Sequence, residues 1–214
     1  MTSTVLYEID ISDKPQKLKG GIAAKFRIFE LSFVALAKTI EDASRASGYR
    51  TSTSEFTRAQ REARRKAQVR AYDAGGTEVP IDDGELLKLP RSLFSKITAG
   101  LDRKSKAPAG KVIAKGDGAD TPVIFKLGTG LAIAGDKGEQ VIHDLEFQAK
   151  TGAEIEDVLV ENYNIAQTIA LIEHCATPLA KDLGLLRLPS WALDQITLAD
   201  GMEIMDQVLP GFLE

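Results

Sequence analysis

Alternating apolar and polar residues predict that the chain opens with a two-stranded ribbon. The latter part of residues 5–11 alternates apolar with acidic side chains, and residues 25–31 alternate charged with apolar ones, in the manner of half-buried strands. The breaks at Asp13-Lys14-Pro15 and Gly20-Gly21 predict a loop between them. Apolar residues at three- and four-residue spacing then predict a helix that begins after Ser32 and ends near Gly48.

A second, longer helix is predicted to begin at Ser54 or Thr57 and to run through Tyr72, before a Gly-Gly pair. Along it, Arg58, Arg61 and Arg65 fall on one stripe at helical spacing. Such a basic face suits a phosphate backbone or an acidic protein surface. No aromatic residue lies within the stripe to stack on bases, so a solvated or ion-paired face is the favoured interpretation and nucleic acid is an unlikely partner.

One stretch occurs twice. Leu86-Leu87-Lys88-Leu89-Pro90 returns 99 positions later as Leu185-Leu186-Arg187-Leu188-Pro189. Further identities at this offset are Ala67-Gln68 with Ala166-Gln167, Ala71 with Ala170, Asp83 with Asp182, and Ile97-Thr98 with Ile196-Thr197. This repetition predicts two copies of one supersecondary unit, with a short helix after each proline. The Leu cluster is interpreted as a clamp between consecutive helices, with a groove for a partner as the alternative.

The second half repeats the order of strand, strand and helix. Strands are predicted at Pro122 to Phe125 and Gln140 to Phe147, joined by turns around Gly128, Gly130, Gly135 and Gly138. One helix should begin near Thr151 or Gly152 and end before Pro178. Its predicted inward residues are Ile155, Val158, Leu159, Ile165, Ala166, Ile169 and Ile172. The acidic residues of its first turns, Glu154, Glu156, Asp157 and Glu161, are interpreted as complements of the helix dipole, with a docking patch as the alternative.

A final helix follows the second Leu-Pro stretch. Thr197 and Asp200 have the spacing of an N-terminal cap. The helix and its continuation present Met202, Met205, Val208 and Phe212, which we take as candidate protein-binding residues. A core helix is the favoured alternative.

These elements predict an α+β fold of two related small modules, each a β-hairpin followed by helices. The predicted boundaries are a basic module at 1–102, a flexible linker rich in Gly, Ala, Lys and Asp at 103–121, and an acidic module at 122–214.

The two halves of the sequence also differ in the sign of their net charge. Residues 1–107 carry 20 Lys and Arg against 14 Asp and Glu, a net of +6, whereas residues 108–214 carry 7 against 17, a net of −10. Opposite signs favour pairing of the halves, self-association or an external charged partner. The single cysteine, the lack of a signal-peptide pattern and the lack of an apolar run near 18 residues predict a cytosolic protein without a membrane partner.

Candidate chemistry is sparse. His143, His174 and Cys175 have no zinc-like spacing, and a Cys-His nucleophile lacks identifiable partners. The Gly128-Thr129-Gly130 segment lacks the third glycine of a dinucleotide loop, and Asp117 and Asp120 lack the other ligands of a calcium loop. We therefore predict no catalytic residue, no metal site and no cofactor, and a protein that is not an enzyme.

Residues 122–213 resemble the small tail assembly chaperones of long-tailed bacteriophages, of the type found in Mu-like phages. The segments that carry the resemblance are Val123 to Gly138, Leu145 to Phe147, Thr151 to Asp157, Ala166 to Ile172, Leu188-Pro189, Asp194 to Asp200 and Gly211 to Leu213. The resemblance implies a non-enzymatic protein of the host cytoplasm that coats the tape-measure protein, recruits tail-tube subunits and is absent from the finished particle.

Three functional hypotheses follow. The first is an assembly chaperone or scaffold that binds helices through the apolar C-terminal region. The second is a structural component of the phage particle, in the tail or baseplate, and would be retained in the virion. The third is a nucleic-acid-binding regulator that uses Arg58, Arg61 and Arg65.

Overall fold

The computed structural model has an α+β fold and describes residues 4–48, 53–116, 121–135, 138–161, 164–180 and 183–213. The chain forms two compact units. Unit 1 comprises Met1–Leu31 and Lys38–Lys106, and unit 2 comprises Ser32–Ala37 and Ala107–Glu214. The two units correspond broadly to the predicted halves. They differ in that Ser32–Ala37 groups with unit 2 and in that the predicted linker is divided between the units at Lys106 and Ala107.

Unit 1 is built on a four-stranded antiparallel sheet in the order β1-β4-β5-β6, with β2 and β3 as a separate ribbon. The elements up to the end of this unit are β1 (Val5–Asp10), β2 (Gln16–Leu18), β3 (Gly21–Ala23), β4 (Lys25–Phe29), α1 (Phe33–Ala46), α2 (Ser54–Gln68), β5 (Val69–Tyr72), β6 (Glu78–Val79), α3 (Asp83–Leu86) and α4 (Arg91–Leu101). The beginning of α1, through Ala37, groups with unit 2. The predicted opening ribbon is confirmed as the β1–β4 pair, and the small β2–β3 ribbon was not predicted.

The predicted second helix is too long by four residues. Helix α2 ends at Gln68, and Val69–Tyr72 form strand β5, which pairs with β4. Val69 and Ala71 are buried while Arg70 and Tyr72 are more exposed, so this segment alternates in the manner of a strand. The helical pattern of the preceding residues does not continue, because this segment pairs with β4.

The leucines of the first Leu-rich stretch differ in burial. Leu86 and Leu89 are buried in the unit 1 core, whereas Leu87 is 58% exposed. Pro90 is the N-cap of α4, which buries Leu93 and Ile97. The stretch therefore joins α3 to α4 and contributes to the core, as the clamp interpretation predicted.

Unit 2 contains a second four-stranded antiparallel sheet, in the order β10-β9-β8-β7. Its elements in chain order are β7 (Lys111–Lys115), β8 (Val123–Gly135), β9 (Gly138–Phe147), α5 (Gly152–Leu159), α6 (Asn164–Cys175), β10 (Ala176–Pro178), a 3-10 helix (Ser190–Gln195), α7 (Leu198–Gln207) and α8 (Pro210–Leu213). Gly128 and Gly130 lie inside β8, so the prediction of turns at these two glycines was wrong.

The predicted linker contains a strand. Lys111–Lys115 form β7 and pair with β8, and the Arg103 guanidinium lies 3.9 Å from the ring centre of Tyr7. Asp117 and Asp120 lie outside the described residues. Lys111–Lys115 therefore belong to the sheet of unit 2 rather than to a linker. The composition did not reveal this strand, because an edge strand needs few buried side chains and β7 has mostly exposed ones.

The single helix predicted after Thr151 is two helices. Helix α5 ends at Leu159 and α6 begins at Asn164. Of the residues predicted to face inward, Val158 and Ile172 are buried, whereas Ile155 and Leu159 are exposed. The break therefore separates one predicted apolar face into two helices whose apolar residues differ in burial.

The two units share an order of elements. If the small β2–β3 ribbon is left aside, two antiparallel strands, two helices and a third strand occur in the same order, as β1-β4-α1-α2-β5 and β8-β9-α5-α6-β10. Ile28 pairs with Val69, the first residue of β5, and Phe147 pairs with Ala176, the first residue of β10.

A duplication nevertheless stays a prediction. The offset between these paired residues is not constant, and the constant-offset match of Ala71 with Ala170 joins a strand residue to a helix residue. The matched Asp182 lies outside the described residues. The second Leu-rich stretch does repeat the pattern of the first, with Leu188 buried and Leu186 77% exposed.

We expect Gly201→Ala to destabilise unit 2 although alanine favours helices. Gly201 is buried in α7, and a Cβ atom there would overlap the ring of the fully buried Phe33. Overpacking of this kind costs about 1–3 kcal/mol. Gly152 in the first turn of α5 has open space around it, so Gly152→Ala should be neutral or stabilising. Urea denaturation followed by fluorescence of Trp191, the only tryptophan, measures both variants; equal midpoints would contradict the packing role of Gly201.

Candidate functional site

Polar side chains attach the C-terminal part of unit 2 to its sheet. The Asp200 carboxylate accepts hydrogen bonds from the backbone amides of Gly128, at 2.7 Å, and Thr129, at 3.3 Å. The Gln195 side chain makes two hydrogen bonds to the backbone of Ala132, and Gln207 accepts one from the amide of Val112. These bonds fix α7 against β8 and β7, and they occupy the amides that a phosphate-binding loop would offer to a ligand.

The N-terminus of α7 follows the predicted cap. Thr197 Oγ1 accepts a hydrogen bond from the Asp200 amide at 3.1 Å and donates one to the Asp200 carboxylate at 2.9 Å. Asp200 is completely buried. The same side chain therefore both closes the helix end and binds the strand.

The four candidate binding residues of the C-terminal helices lie in different environments. Met202 is 36% exposed, whereas Met205 and Phe212 are partly buried against the unit 2 core and Val208 is buried. Val208 is therefore a core residue, and the prediction of it as a binding residue was wrong. Only Met202 of this set offers a largely accessible apolar side chain.

The predicted basic face is interrupted. Arg58 and Arg61 are exposed, but Arg65 is buried. Arg65 forms a bidentate ion pair with Asp83, in which Nη2 of Arg65 lies 2.8 Å from Oδ2 of Asp83. This hydrogen-bonded ion pair raises the pKa of Arg65. Arg65 is therefore a structural residue that joins α2 to α3, and the exposed stripe consists of Arg58 and Arg61.

An apolar surface that the sequence did not predict lies on α5. Ile155 and Leu159 of α5 are 36% and 51% exposed, and Val160, the C-cap residue of this helix, is 64% exposed. We call these three residues the α5 face. Helix α5 buries only Glu154 and Val158. Helical periodicity identified an apolar side of this segment, but it could not show that the break before α6 leaves that side uncovered.

The first turn of α5 is held by a capping box. Thr151 Oγ1 accepts a hydrogen bond from the Glu154 amide, and the Glu154 carboxylate accepts one from the Thr151 amide at 3.1 Å. Glu154 also forms an ion pair with Arg187 of the second Leu-rich stretch. The capping interpretation is confirmed for Glu154, which is buried, while Glu156, Asp157 and Glu161 are exposed.

The cysteine and histidines do not converge on a site. Cys175 is buried at the end of α6, and Nδ1 of His174 lies 3.7 Å from Oδ2 of Asp157. His143 is exposed on β9. Within the residues that the structure describes, no group of three or more His, Cys, Asp or Glu could hold a metal ion. None of the described helices combines the length and apolar character needed to cross a bilayer.

We expect Cys175 to be unreactive in the folded protein. Burial raises the pKa of its thiol from 9.0 to about 11, so thiolate, the reactive form, is scarce at neutral pH. A chromogenic disulfide reagent at neutral pH should modify Cys175 slowly in native protein and rapidly in urea. Rapid stoichiometric modification of the native protein, without unfolding, would contradict this assignment.

Comparison with known proteins identifies no relative: no protein-family model matches the chain, and no curated protein or solved structure is significantly similar to it. The functional argument therefore depends on the surfaces described above and on the resemblance carried by the sequence motifs of residues 122–213.

Proposed function

We propose that the protein is a non-enzymatic tail assembly chaperone of a long-tailed bacteriophage, which binds a helical partner through unit 2. The observation that carries the proposal is the α5 face, where three large apolar side chains between positions 155 and 160 are exposed. Contiguous exposed apolar residues are typical of interaction surfaces. Met202 adds an exposed, adaptable apolar side chain on α7.

The proposal gives unit 2 the binding role that the resemblance assigns to such chaperones. The partners would be the tape-measure protein and the tail-tube subunits, and the site of action would be the host cytoplasm during assembly. Because Val208 and Leu209 are core residues, binding would use Met202 and the α5 face rather than the whole apolar side of α7.

Affinity capture from infected cells tests this proposal. The full chain, tagged at one end and expressed during tail assembly, should capture a long helical protein together with tube subunits. Met202→Asp should reduce this capture while circular dichroism stays unchanged, since Met202 is exposed. Capture of neither protein class under conditions in which tails are being assembled would contradict the proposal.

The opposite net charges of the two halves favour one alternative, a structural component of the particle that self-associates in a head-to-tail manner. Such a protein would be retained in the virion at a stoichiometry comparable with that of the tube subunit. The nucleic-acid hypothesis retains only Arg58 and Arg61 of its three arginines. A retardation assay at low salt should show no shift, because two exposed arginines neutralise few phosphates.

A further inference from the structure

The α5 face has an acidic border. Residues 151–161 contain four carboxylates and no Lys or Arg. Glu154 is committed to the capping box and to Arg187, but Glu156, Asp157 and Glu161 are exposed. The surface around the apolar side chains is therefore negatively charged.

Helical geometry orders these side chains. Ile155 and Leu159 are four residues apart and lie one turn above the other on the same side of α5. Glu156 and Val160, the C-cap residue, form the adjacent row, and Glu161 follows the helix end as an exposed residue. The apolar row is thus bordered along one side by Glu156 and lies near Glu161 at the helix end.

The partner must supply its own backbone hydrogen bonds. A helix does not present a row of unpaired amides and carbonyls along its side, so a partner strand could not pair with α5 as it would with a sheet edge. A partner helix satisfies its own backbone and can pack apolar side chains beside Ile155 and Leu159. Eight residues of α5 extend over about 12 Å, which accommodates roughly two turns of such a helix.

The negative charge beside the α5 face favours some binding partners over others. A second copy that docked through its own α5 face would bring like charges together, and nucleic acid or an anionic membrane would be repelled by the same carboxylates. A segment with Lys or Arg beside an apolar row would place its cations opposite Glu156 and Glu161.

We propose that the α5 face is the docking site for a basic amphipathic helix of a partner protein, with apolar residues at three- and four-residue spacing flanked by Lys or Arg. This inference rests on the proposed function, because it names the partner chemistry for the same unit. The apolar row provides the contact area, and the carboxylates provide orientation and selectivity against acidic helices.

Fluorescence anisotropy with the full chain tests the inference. The probe is a labelled synthetic helix of about 21 residues, roughly six turns, with Leu on one face and Lys on the other. The comparison peptides replace every Lys by Glu or scramble the order of the same residues. The Leu/Lys helix should bind, and the other two peptides should bind at least about tenfold more weakly.

Matched variants locate the binding site. Leu159→Ser should weaken binding of the Leu/Lys helix about tenfold. A Glu156→Gln, Glu161→Gln double variant should weaken it severalfold and reduce its dependence on salt. Val141→Ser, which alters a 61% exposed apolar residue on β9, should leave affinity unchanged. Circular dichroism of each variant shows whether the fold is retained.

Several outcomes would overturn the inference. These are absence of binding, equal binding of the Glu peptide, binding unaffected by both α5 variants, and self-association in sedimentation experiments that Leu159→Ser abolishes. The proposed function is judged separately, because capture of a long helical protein from infected cells that persists in Leu159→Ser would reject only the α5 docking site.

Discussion

Replacing Asp200 by alanine is expected to lower the free energy of unfolding by about 4 kcal/mol. The change leaves the amides of Gly128 and Thr129 without their acceptor, and a buried donor without a partner costs about 1–3 kcal/mol. It also removes the bond from Thr197 Oγ1 at the start of α7. Urea denaturation followed by Trp191 fluorescence measures the loss in unit 2.

Asp206 provides the matched control for this variant. It lies on the same helix but is exposed, so Asp206→Ala should change the free energy of unfolding by less than about 0.5 kcal/mol. If Asp200→Ala is no more destabilising than Asp206→Ala, the carboxylate does not hold the helix to the sheet and the described attachment of α7 is wrong.

Replacing Arg65 by methionine should destabilise unit 1 by about 3–5 kcal/mol, because it leaves the Asp83 carboxylate buried without its cation. The double variant Arg65→Met, Asp83→Leu should recover part of this loss, since it removes the unpaired charge. Arg58→Met, at an exposed position of the same helix, should be close to neutral. Hydrogen exchange of the β4 and β5 amides reports the stability of this unit.

The comparison of these variants also separates two roles for the basic helix. If Arg65→Met is as mild as Arg58→Met, Arg65 belongs to the surface stripe that the sequence predicted. If the double variant is less stable than the single variant, the two side chains contribute independently and the ion pair is not their main interaction.

Local structure was predictable from the sequence where neighbouring residues determine the conformation. The cap at Thr197 was evident from Asp200, three positions away, and it forms. The start of α5 near Thr151 was also predicted, and Thr151 is its N-cap. The opening ribbon was evident from alternation over a few residues. In each case the interactions that decide the conformation lie within one turn or one strand, so the sequence contains the whole pattern.

Long-range pairing was not predictable. Val69 to Tyr72 form a strand because β4 is available to pair with them, and nothing in their own sequence identifies that partner. Asp200 was recognised as a capping residue, but its strand contacts join residues 72 and 71 positions apart. Arg65 has the same spacing as Arg58 and Arg61, and only the position of Asp83 separates it from the exposed pair.

The α5 face was likewise predictable only in part. Periodicity found an apolar side in residues 155–172, yet the sequence could not show which part of it other elements cover. Burial of Val158 and Ile172 and exposure of Ile155 and Leu159 depend on how α5 and α6 pack as separate helices. The sequence offered a docking patch as the alternative interpretation of the acidic residues. That interpretation requires an exposed apolar row beside them, and only the fold shows that this row is exposed.

The amount of this protein in purified phage particles, measured by quantitative mass spectrometry against the tail-tube subunit, tests the proposed role as an assembly chaperone most directly. We predict that the protein is abundant in cells during tail assembly and absent from finished particles. Recovery from the particles at a stoichiometric ratio to a tail or baseplate protein would contradict the account and favour a structural component.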